Sequence, residues 1–374
     1  MDWIRQHKKL FILNLVLVFL SFLCFFGFQT VAKTLDYINS AERWTGKSDI
    51  SYSHIACFMP VNYKIDENSV YSFKQTVDSK MVEASIESSE NGNLWNFAYC
   101  GNGIVTVSTE RGSAEVCAIG IGGDFFFFHQ PVLYCGNYIS GNDLMQDGVV
   151  LDKDLAWKLF GATDVAGMEL LINGNRYYVA GVIEADDDFA SSKAKTASGG
   201  LYMSYSKFFE LTNEGIDCYE AVVPSPVSGF AENLFKESFP QKNCEIIEVN
   251  KRYGIKNMFG VITSFGTRSM RTDGIIFPEW ENAARLTEDY CAVFLVFMLL
   301  FLVFPVIFGF IFFRRYGKIG LNKFWVFAKE KTEKIYDDTT EKSMSGIFGK
   351  KKIGINQKSV AFFSRKSRFS VLGN

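Results

Sequence analysis

Histidine is scarce in this chain, and familiar catalytic motifs are missing. Among 374 residues there are three histidines, His7, His54 and His129, with neither the HExxH pattern of zinc peptidases nor the GxSxG pattern of serine hydrolases. The eight cysteines form no CxxC pair, which argues against zinc ribbons and thioredoxin-type redox sites. The sequence therefore predicts no catalytic residues, no metal ligands and no cofactor, and we expect a protein that is not an enzyme.

A phosphate-binding loop is missing as well. Residues 346–352, GIFGKKK, contain a Gly-Lys pair but have neither the spacing nor the Ser/Thr of a Walker A motif, so this chain is not expected to hydrolyse ATP. The remaining candidate for a cation site is Asp186-Asp187-Asp188. It follows a predicted hairpin, where acidic residues usually serve solubility, and we interpret it as a solvated loop.

Phenylalanine is abundant, at 37 residues, and two long runs without charge concentrate the apolar side chains. Residues 10–28 and 291–313 give helices of roughly 28 and 34 Å, enough to cross a hydrocarbon core of about 30 Å. The first run is longer than the apolar region of a cleaved signal peptide, so we interpret it as a retained anchor. Pro305 would kink the second helix, which membrane helices tolerate.

Charge orients these two helices. Arg5, Lys8 and Lys9 precede the first run, and the tail 314–374 carries fifteen Lys and Arg against five Asp and Glu. The chain as a whole has a net charge of -2, so the residues between the ends are strongly acidic. Because Lys and Arg beside membrane segments stay in the cytoplasm, we predict a multi-pass protein of the cell membrane with both termini, 1–9 and 314–374, cytoplasmic.

The region between the two runs shows both strand and helix patterns. Its clearest hairpin joins residues 168–172 to 176–183 through Asn173-Gly174, a pair favoured where a two-residue turn needs positive φ. Alternation, caps and breakers also predict a hairpin of residues 104–108 and 114–121, helices capped by Asp152, Ser204 and Ser228, and a strand at 244–249. We therefore predict a mixed α+β extracytoplasmic domain over residues 45–277.

Two segments join this domain to the membrane runs. Val31, Leu35, Ile38 and Ala41 have helical spacing, so the first helix is predicted to continue over residues 29–44. Pro278 suits a helix start, and residues 278–290 lead into the second run without a breaker. Side by side, these extensions would form a stalk; the alternative is ordinary juxtamembrane helices with no mechanical role.

Residues 148–161, GVVLDKDLAWKLFG, and 164–184, DVAGMELLINGNRYYVAGVIE, resemble the MacB-like periplasmic core domain of MacB/FtsX-type ABC transporter permeases. The matching features are Leu159-Phe160-Gly161, Ala166-Gly167 (Ala where Val is usual) and Val179-Ala180-Gly181-Val182, and residues 124–140 fit the segment leading to a glycine, here Gly136. The resemblance implies a domain of this type between two membrane helices. It also implies mechanical transmission, in which ATP-driven motion in the cytoplasm moves the membrane helices and, through the stalk, the extracytoplasmic domain.

The chain departs from that family in having one membrane run after the domain instead of three. As a permease-like subunit it would need a separate ABC ATPase, together with another permease subunit or a second copy. The alternative function is a membrane-anchored binding or sensor module without an ATPase partner. The basic tail, with Lys350-Lys351-Lys352 and Arg365, Lys366 and Arg368, is expected to contact anionic lipid and not nucleic acid.

Cysteine leaves one question open at this stage. Six cysteines fall in the predicted extracytoplasmic region, at positions 57, 100, 117, 135, 218 and 244. An even number permits disulfides. Cys117 and Cys218 have apolar or aromatic neighbours in the sequence, so they also fit as simple core residues.

Overall fold

A computed structural model describes residues 8–46, 50–86, 93–140, 143–184, 186–195 and 200–348. The chain divides into two compact units, one of residues 1–14 and 303–374 and one of residues 15–302. The described parts of the first unit, 8–14 and 303–348, are helical. The second unit contains all of the β-structure found in the described residues.

The helices differ greatly in length, with two long ones at the ends of the described chain. They are α1 (Lys8–Ala32), α2 (Ser40–Thr45), α3 (Glu67–Glu83), α4 (Phe125–Phe128), α5 (Lys153–Phe160), α6 (Phe189–Ala194), α7 (Tyr205–Thr212), α8 (Phe230–Ser238), α9 (Ile255–Thr263) and α10 (Glu279–Phe348). Short 3₁₀ turns, Asp36–Asn39 and Val249–Lys251, precede α2 and follow the last strand.

In the described part of the chain, ten strands form one mixed sheet. They are β1 (Tyr52–Phe58), β2 (Asn96–Thr109), β3 (Gly112–Gly123), β4 (Leu133–Gly136), β5 (Gly148–Asp152), β6 (Glu169–Ile172), β7 (Asn175–Ile183), β8 (Gly200–Ser204), β9 (Cys218–Pro224) and β10 (Glu245–Glu248). The order is β10-β1-β9-β2-β3-β8-β5-β7-β4, with β6 paired to β2 and β7. The pairs β3–β8 and β5–β7 are parallel and the others antiparallel, so the folded domain of residues 50–277, hereafter the sheet domain, is of mixed α/β type.

The two faces of the sheet carry two separate apolar cores. Because successive strand residues point to opposite faces, Ile55 and Cys57 enter one core while Ala56 and Phe58 enter the other. Helices α3, α5, α7 and α8 cover the first core. The second core is completed by the segments next to the membrane helices, through Leu35, Tyr37, Ile38, Ala41, Phe277, Ala283 and Ala284. Both connections to the membrane therefore pack on the same face.

Several local elements predicted from the sequence are confirmed. Asn173 and Gly174 have φ of 47° and 83°, so β6 and β7 are joined by the turn that the Asn-Gly pair indicated. Asp152 accepts a hydrogen bond from the Leu155 amide at 2.7 Å at the start of α5. Gly161 ends that helix in the left-handed region. Local signals suffice for these elements because each depends on residues close together in the chain.

The first helix, however, does not continue to Trp44, so the prediction of one helix over residues 29–44 is wrong. It ends at Ala32, where Lys33 and Thr34 donate amides to carbonyls only three residues back. The chain then turns, and Leu35 and Ile38 enter the core on the sheet. The apolar residues of this segment are therefore buried against the sheet by short helical turns, and not along one continuous helix.

One cap was also predicted at the wrong residue. Helix α8 begins at Phe230, after Gly229 with φ of 85°, so Ser228 does not cap it. A residue in the left-handed conformation just before the helix changes the direction of the chain, and glycine adopts this conformation without steric cost.

The two apolar helices have the exposure of membrane segments. Apart from Ser21, the described side chains of α1 lie at or near the surface, and the apolar part of α10 is likewise largely uncovered by protein. Such surfaces are stable in lipid and not in water, so the chain is a membrane protein. Within residues 15–302 the helices touch: Ser21 Oγ lies 3.3 Å from the Met298 carbonyl oxygen. A Cβ on Gly27 would fall 2.6 Å from the Phe294 ring, so this glycine permits close packing.

Candidate functional site

A charged face lies at the start of α10, just before its apolar part. Glu281, Arg285, Glu288 and Asp289 recur at i, i+4, i+7 and i+8, which places them on one side of the helix. All four are buried, and Glu281 has no exposed surface. A charged helix face normally points to water, so its burial here requires partners of opposite charge.

Arg252 is the central partner. It follows the 3₁₀ turn after edge strand β10 and is 3% exposed. One of its guanidinium nitrogens donates to Glu288 at 2.9 Å, and another donates to Glu281. A single side chain of the sheet domain thus holds two carboxylates that lie two helical turns apart.

Two further arginines extend this network. Arg285 Nε donates to Glu281 at 2.7 Å, and its Nη2 donates to Glu245, the first residue of β10, at 2.6 Å. Arg268, in the loop before α10, pairs with Glu288 at 2.6 Å and with Asp289 at 3.3 Å. Helix, loop and edge strand are therefore joined by one set of contacts, which we call the ion-pair junction.

The ion-pair junction holds three arginines against four carboxylates, all of them named above. Removing one partner of a buried pair leaves an uncompensated charge and costs about 3–5 kcal/mol. This arrangement attaches the start of α10 firmly to the edge of the sheet.

A second polar cluster lies on the same face, around Glu220. This residue lies in the otherwise apolar strand β9 and is 2% exposed. His129 Nε2 lies 2.8 Å from its carboxylate, and His54 Nε2 lies 3.9 Å away. Two of the three histidines of the sequence are thus brought together by the fold.

Electrostatics differ between the members of this cluster. Burial, the largest single influence, opposes ionisation of Glu220, but the combined effect of His129, His54 and Trp280 outweighs it, so the pKa of the carboxyl lies below its usual value. Burial lowers the pKa of His54 to about 4, further helped by His129, Arg252 and Arg43 and opposed by Glu220. His54 is therefore neutral at pH 7 and forms no ion pair with Glu220, although the two atoms lie within 4 Å.

Tyr37 connects the two clusters. Its hydroxyl lies 3.5 Å from Glu281, and its ring stacks on His129 with centroids 5.6 Å apart. The ring of Trp280, in the first turn of α10, has its centroid 4.4 Å from that of the His129 ring. The segment after α1, the start of α10 and the sheet therefore meet around one histidine.

A cleft of about 340 Å³ opens beside this cluster, with Tyr37, His129 and Trp280 in its lining. Asp152 and Asp188 also line it, but both carboxylates accept amide hydrogen bonds at the starts of helices α5 and α6. These two acids thus have structural roles. The volume is at the lower end of the range of small-molecule pockets.

The residues considered for chemistry in the sequence fall in several places. Asp188 is a helix cap, so the Asp186–Asp188 run is a loop leading into α6. In the part of the chain that the structure describes, no group of three or more His, Cys, Asp and Glu side chains is placed to hold a metal ion. The cysteines are free thiols, and Cys100 lies opposite Cys218 on neighbouring strands. The basic clusters at 350–352 and 365–368 lie outside the described residues.

Neither the ion-pair junction nor the Glu220 cluster was predicted from the sequence. The available signals were the i, i+4, i+7, i+8 charge pattern before the second apolar run and a lone glutamate in the apolar sequence CYEAVV. Neither signal identifies the residues that pair with these acidic groups, since Arg252 and His129 are distant in sequence from the groups they contact.

Comparisons with known proteins give structural neighbours only. No protein-family model matches the chain, and no curated protein matches it. The extracellular domain of the noncanonic ABC-type transporter YknZ from Gram-positive bacteria is similar over 52% of this chain and 99% of that domain, with 14% identity and a TM-score of 0.35. The periplasmic region of MacB from Actinobacillus actinomycetemcomitans is similar over 55% and 92%, with 17% identity and a TM-score of 0.38.

Proposed function

We propose that this chain is a permease-like membrane subunit of an ABC system of MacB/FtsX type. In this role it passes the motion of a separate cytoplasmic ATPase to an extracytoplasmic sheet domain. The observation that carries the proposal is the ion-pair junction, because it fixes the start of a membrane helix to the edge of the sheet.

Force transmission requires contacts that move together. The segment after α1 packs in the second core through Leu35 and Ile38, and the start of α10 packs there through Ala283 and Ala284. Because both segments lie on one face of one sheet, a shift of either membrane helix displaces the sheet domain as well. Tyr37, which touches groups of both clusters, adds a polar link between the two segments.

The sequence resemblance supports the same role. The two matching stretches contain β5, α5, β6 and β7, which are consecutive in the chain, and Ala166-Gly167 forms a turn between α5 and β6. Thr109 donates to the Leu159 carbonyl at 2.7 Å, and Arg111 donates to the Phe160 carbonyl at 2.9 Å, so the β2–β3 hairpin holds the Leu-Phe-Gly helix end. Gly136 and Gly181 pair at the contact of β4 with β7, where a Cβ on either would overlap backbone atoms.

The proposed topology places the sheet domain outside and both termini in the cytoplasm, with membrane spans at 10–28 and 291–313. The distribution of Lys and Arg supports this orientation. In this arrangement the basic tail lies beside the inner leaflet and contacts anionic lipid. Protease protection in intact cells tests it, since digestion of the tail together with protection of the sheet domain would reverse the orientation.

Partner identification tests the function. We expect a tagged full-length chain, extracted from its native membrane in mild detergent, to carry an ABC ATPase and a further permease subunit or a second copy of itself. An unrelated membrane protein with two spans, carrying the same tag and purified in the same way, serves as the control. Purification of the intact chain without any ATPase, also after crosslinking in the membrane, would contradict the proposal.

A membrane-anchored binding module is the second candidate, and the cleft beside His129 and Trp280 is the observation that favours it. Such a module needs an anchor but no mechanical attachment. It therefore predicts that the chain purifies alone. It also predicts that substitutions in the cleft lining, such as Trp280→Ala, alter ligand binding, whereas substitutions in the ion-pair junction do not.

A further inference from the structure

Helix α9 (Ile255–Thr263) has a wider apolar surface than its protein contacts require. Each residue of an α-helix advances by about 100°, so Met258, Val261, Ile262, Ile255 and Phe259 together cover an arc of roughly 160°. The remaining arc carries polar and small residues. This is the pattern of a helix buried on one broad side.

Only part of that arc is covered by protein. Met258 and Val261 are buried in a small apolar cluster with residues at the facing ends of both membrane runs, namely Phe28, Cys291, Ala292 and Leu295, and with Val31 and Ala32 just beyond the first run. Ile255 is 74% exposed and Phe259 is 52% exposed. Phe265, just beyond the helix, is also 52% exposed. The uncovered side chains form a continuous extension of the buried ones.

The position of the cluster fixes where these side chains lie relative to the membrane. Phe28 is the last residue of the first apolar run, and Leu295 lies four residues, or about 6 Å, inside the second. Helix α9 therefore packs at the level where both membrane helices enter the hydrocarbon core. Tyr253, just before α9, contacts the Phe28 ring with centroids 6.4 Å apart, which holds the helix at that level.

We propose that α9 is an interfacial helix, whose uncovered side chains Ile255 and Phe259 insert between the acyl chains of the lipid leaflet next to the sheet domain. The argument for lipid is continuity, because the uncovered arc joins the lipid-facing surfaces of α1 and α10 at the same depth. Exposed Lys256, beside this arc, is placed to reach the phosphate groups of the lipid. The inference depends on the membrane position alone and stands or falls independently of the transport role.

Photocrosslinking of the full-length chain tests this placement. Phe259 is replaced by p-benzoylphenylalanine, the protein is reconstituted in phosphatidylcholine–phosphatidylglycerol vesicles, and adducts are identified by intact mass after irradiation. The matched control carries the same residue at Val82, which is 76% exposed on α3, a helix that covers the opposite face of the sheet. We expect lipid adducts to be several-fold more abundant at position 259 than at position 82.

Two outcomes would overturn the inference. One is an equal yield of lipid adducts at the two positions, which would place α9 in water. The other is an adduct with a second copy of the chain in place of lipid, which would make the arc a protein interface. Each variant must have the melting temperature of the wild type. If the substitution at Phe259 lowers the melting temperature, p-benzoylphenylalanine is placed at Ile255 instead, and the same two outcomes would overturn the inference.

Discussion

Arg252→Met is the sharpest test of the ion-pair junction. Methionine keeps much of the length of the arginine side chain and of its apolar stem, so the substitution removes charge more than volume. It leaves Glu281 and Glu288 buried, each with one arginine instead of two. Removing one partner of a buried charge network costs about 3–5 kcal/mol.

The loss of stability is measured as a fall in the melting temperature. A change of 1 kcal/mol shifts the melting temperature by about 2–4 °C in domains of 150–250 residues, so we expect a drop of roughly 6–20 °C. The assay is thermal unfolding of the full-length chain in lipid nanodiscs, followed by tryptophan fluorescence. Glu83→Gln is the matched control: it breaks an exposed pair with Lys80 on α3 and should leave the melting temperature unchanged.

A double variant separates pairing from packing. If Arg252 and Glu281 stabilise the fold by pairing, Arg252→Met combined with Glu281→Leu should lose less stability than the two single changes together, by roughly 0.5–3 kcal/mol. Strictly additive losses would show that the residues act independently. A drop for Arg252→Met no larger than that of the exposed control would refute the assignment of the junction as a firm attachment.

Two further predictions concern the sheet domain. Gly174→Val should destabilise it by roughly 1 kcal/mol or more, because φ at this turn is 83°. Gly260→Ala, at an open helical position, is the control and should not destabilise it. Equal melting temperatures of the two variants would contradict the predicted strain at the turn. His54→Phe should remove part of the acid sensitivity: with a folded pKa of about 4 against 6.5 unfolded, the histidine withdraws about 3 kcal/mol of stability as pH falls through that window. The burial-raised pKa of Asp217, about 6, acts in the opposite sense, so the check is the difference between wild-type and variant stability curves, and parallel curves would exclude the histidine effect.

Sequence alone identified the elements whose determinants are local. The Asn173-Gly174 turn, the Asp152 cap and the Gly161 helix end each depend on a few neighbouring residues, and the structure has all three. The apolar spacing of Leu35 and Ile38 shows that one side of the segment is buried, but not against what. A continuous helix and a short turn packed on a sheet satisfy the same spacing, so that prediction failed.

The candidate site could not be predicted for a related reason. Glu281 and Arg252 are 29 residues apart, and Tyr37 and Glu281 are 244 apart. A charge pattern on a helix indicates a polar face, which is usually solvated, and its burial depends on where the edge strand and the preceding loop run. Only the three-dimensional arrangement of the sheet supplies that information.

The same arrangement decides how mechanical coupling can be tested. A flexible hinge made by replacing Ala283-Ala284 with Gly-Gly is attractive from the sequence, since each glycine costs a helix interior about 1 kcal/mol. Both alanines are fully or almost fully buried in the second core, so the change also deletes packed methyl groups and loosens the sheet domain itself. Lost activity in that variant would not distinguish a broken transmission from a damaged core. The charges of Arg252 and Glu281 are the better target, because their double variant removes one direct pair between the sheet domain and α10 without deleting any apolar residue of the second core.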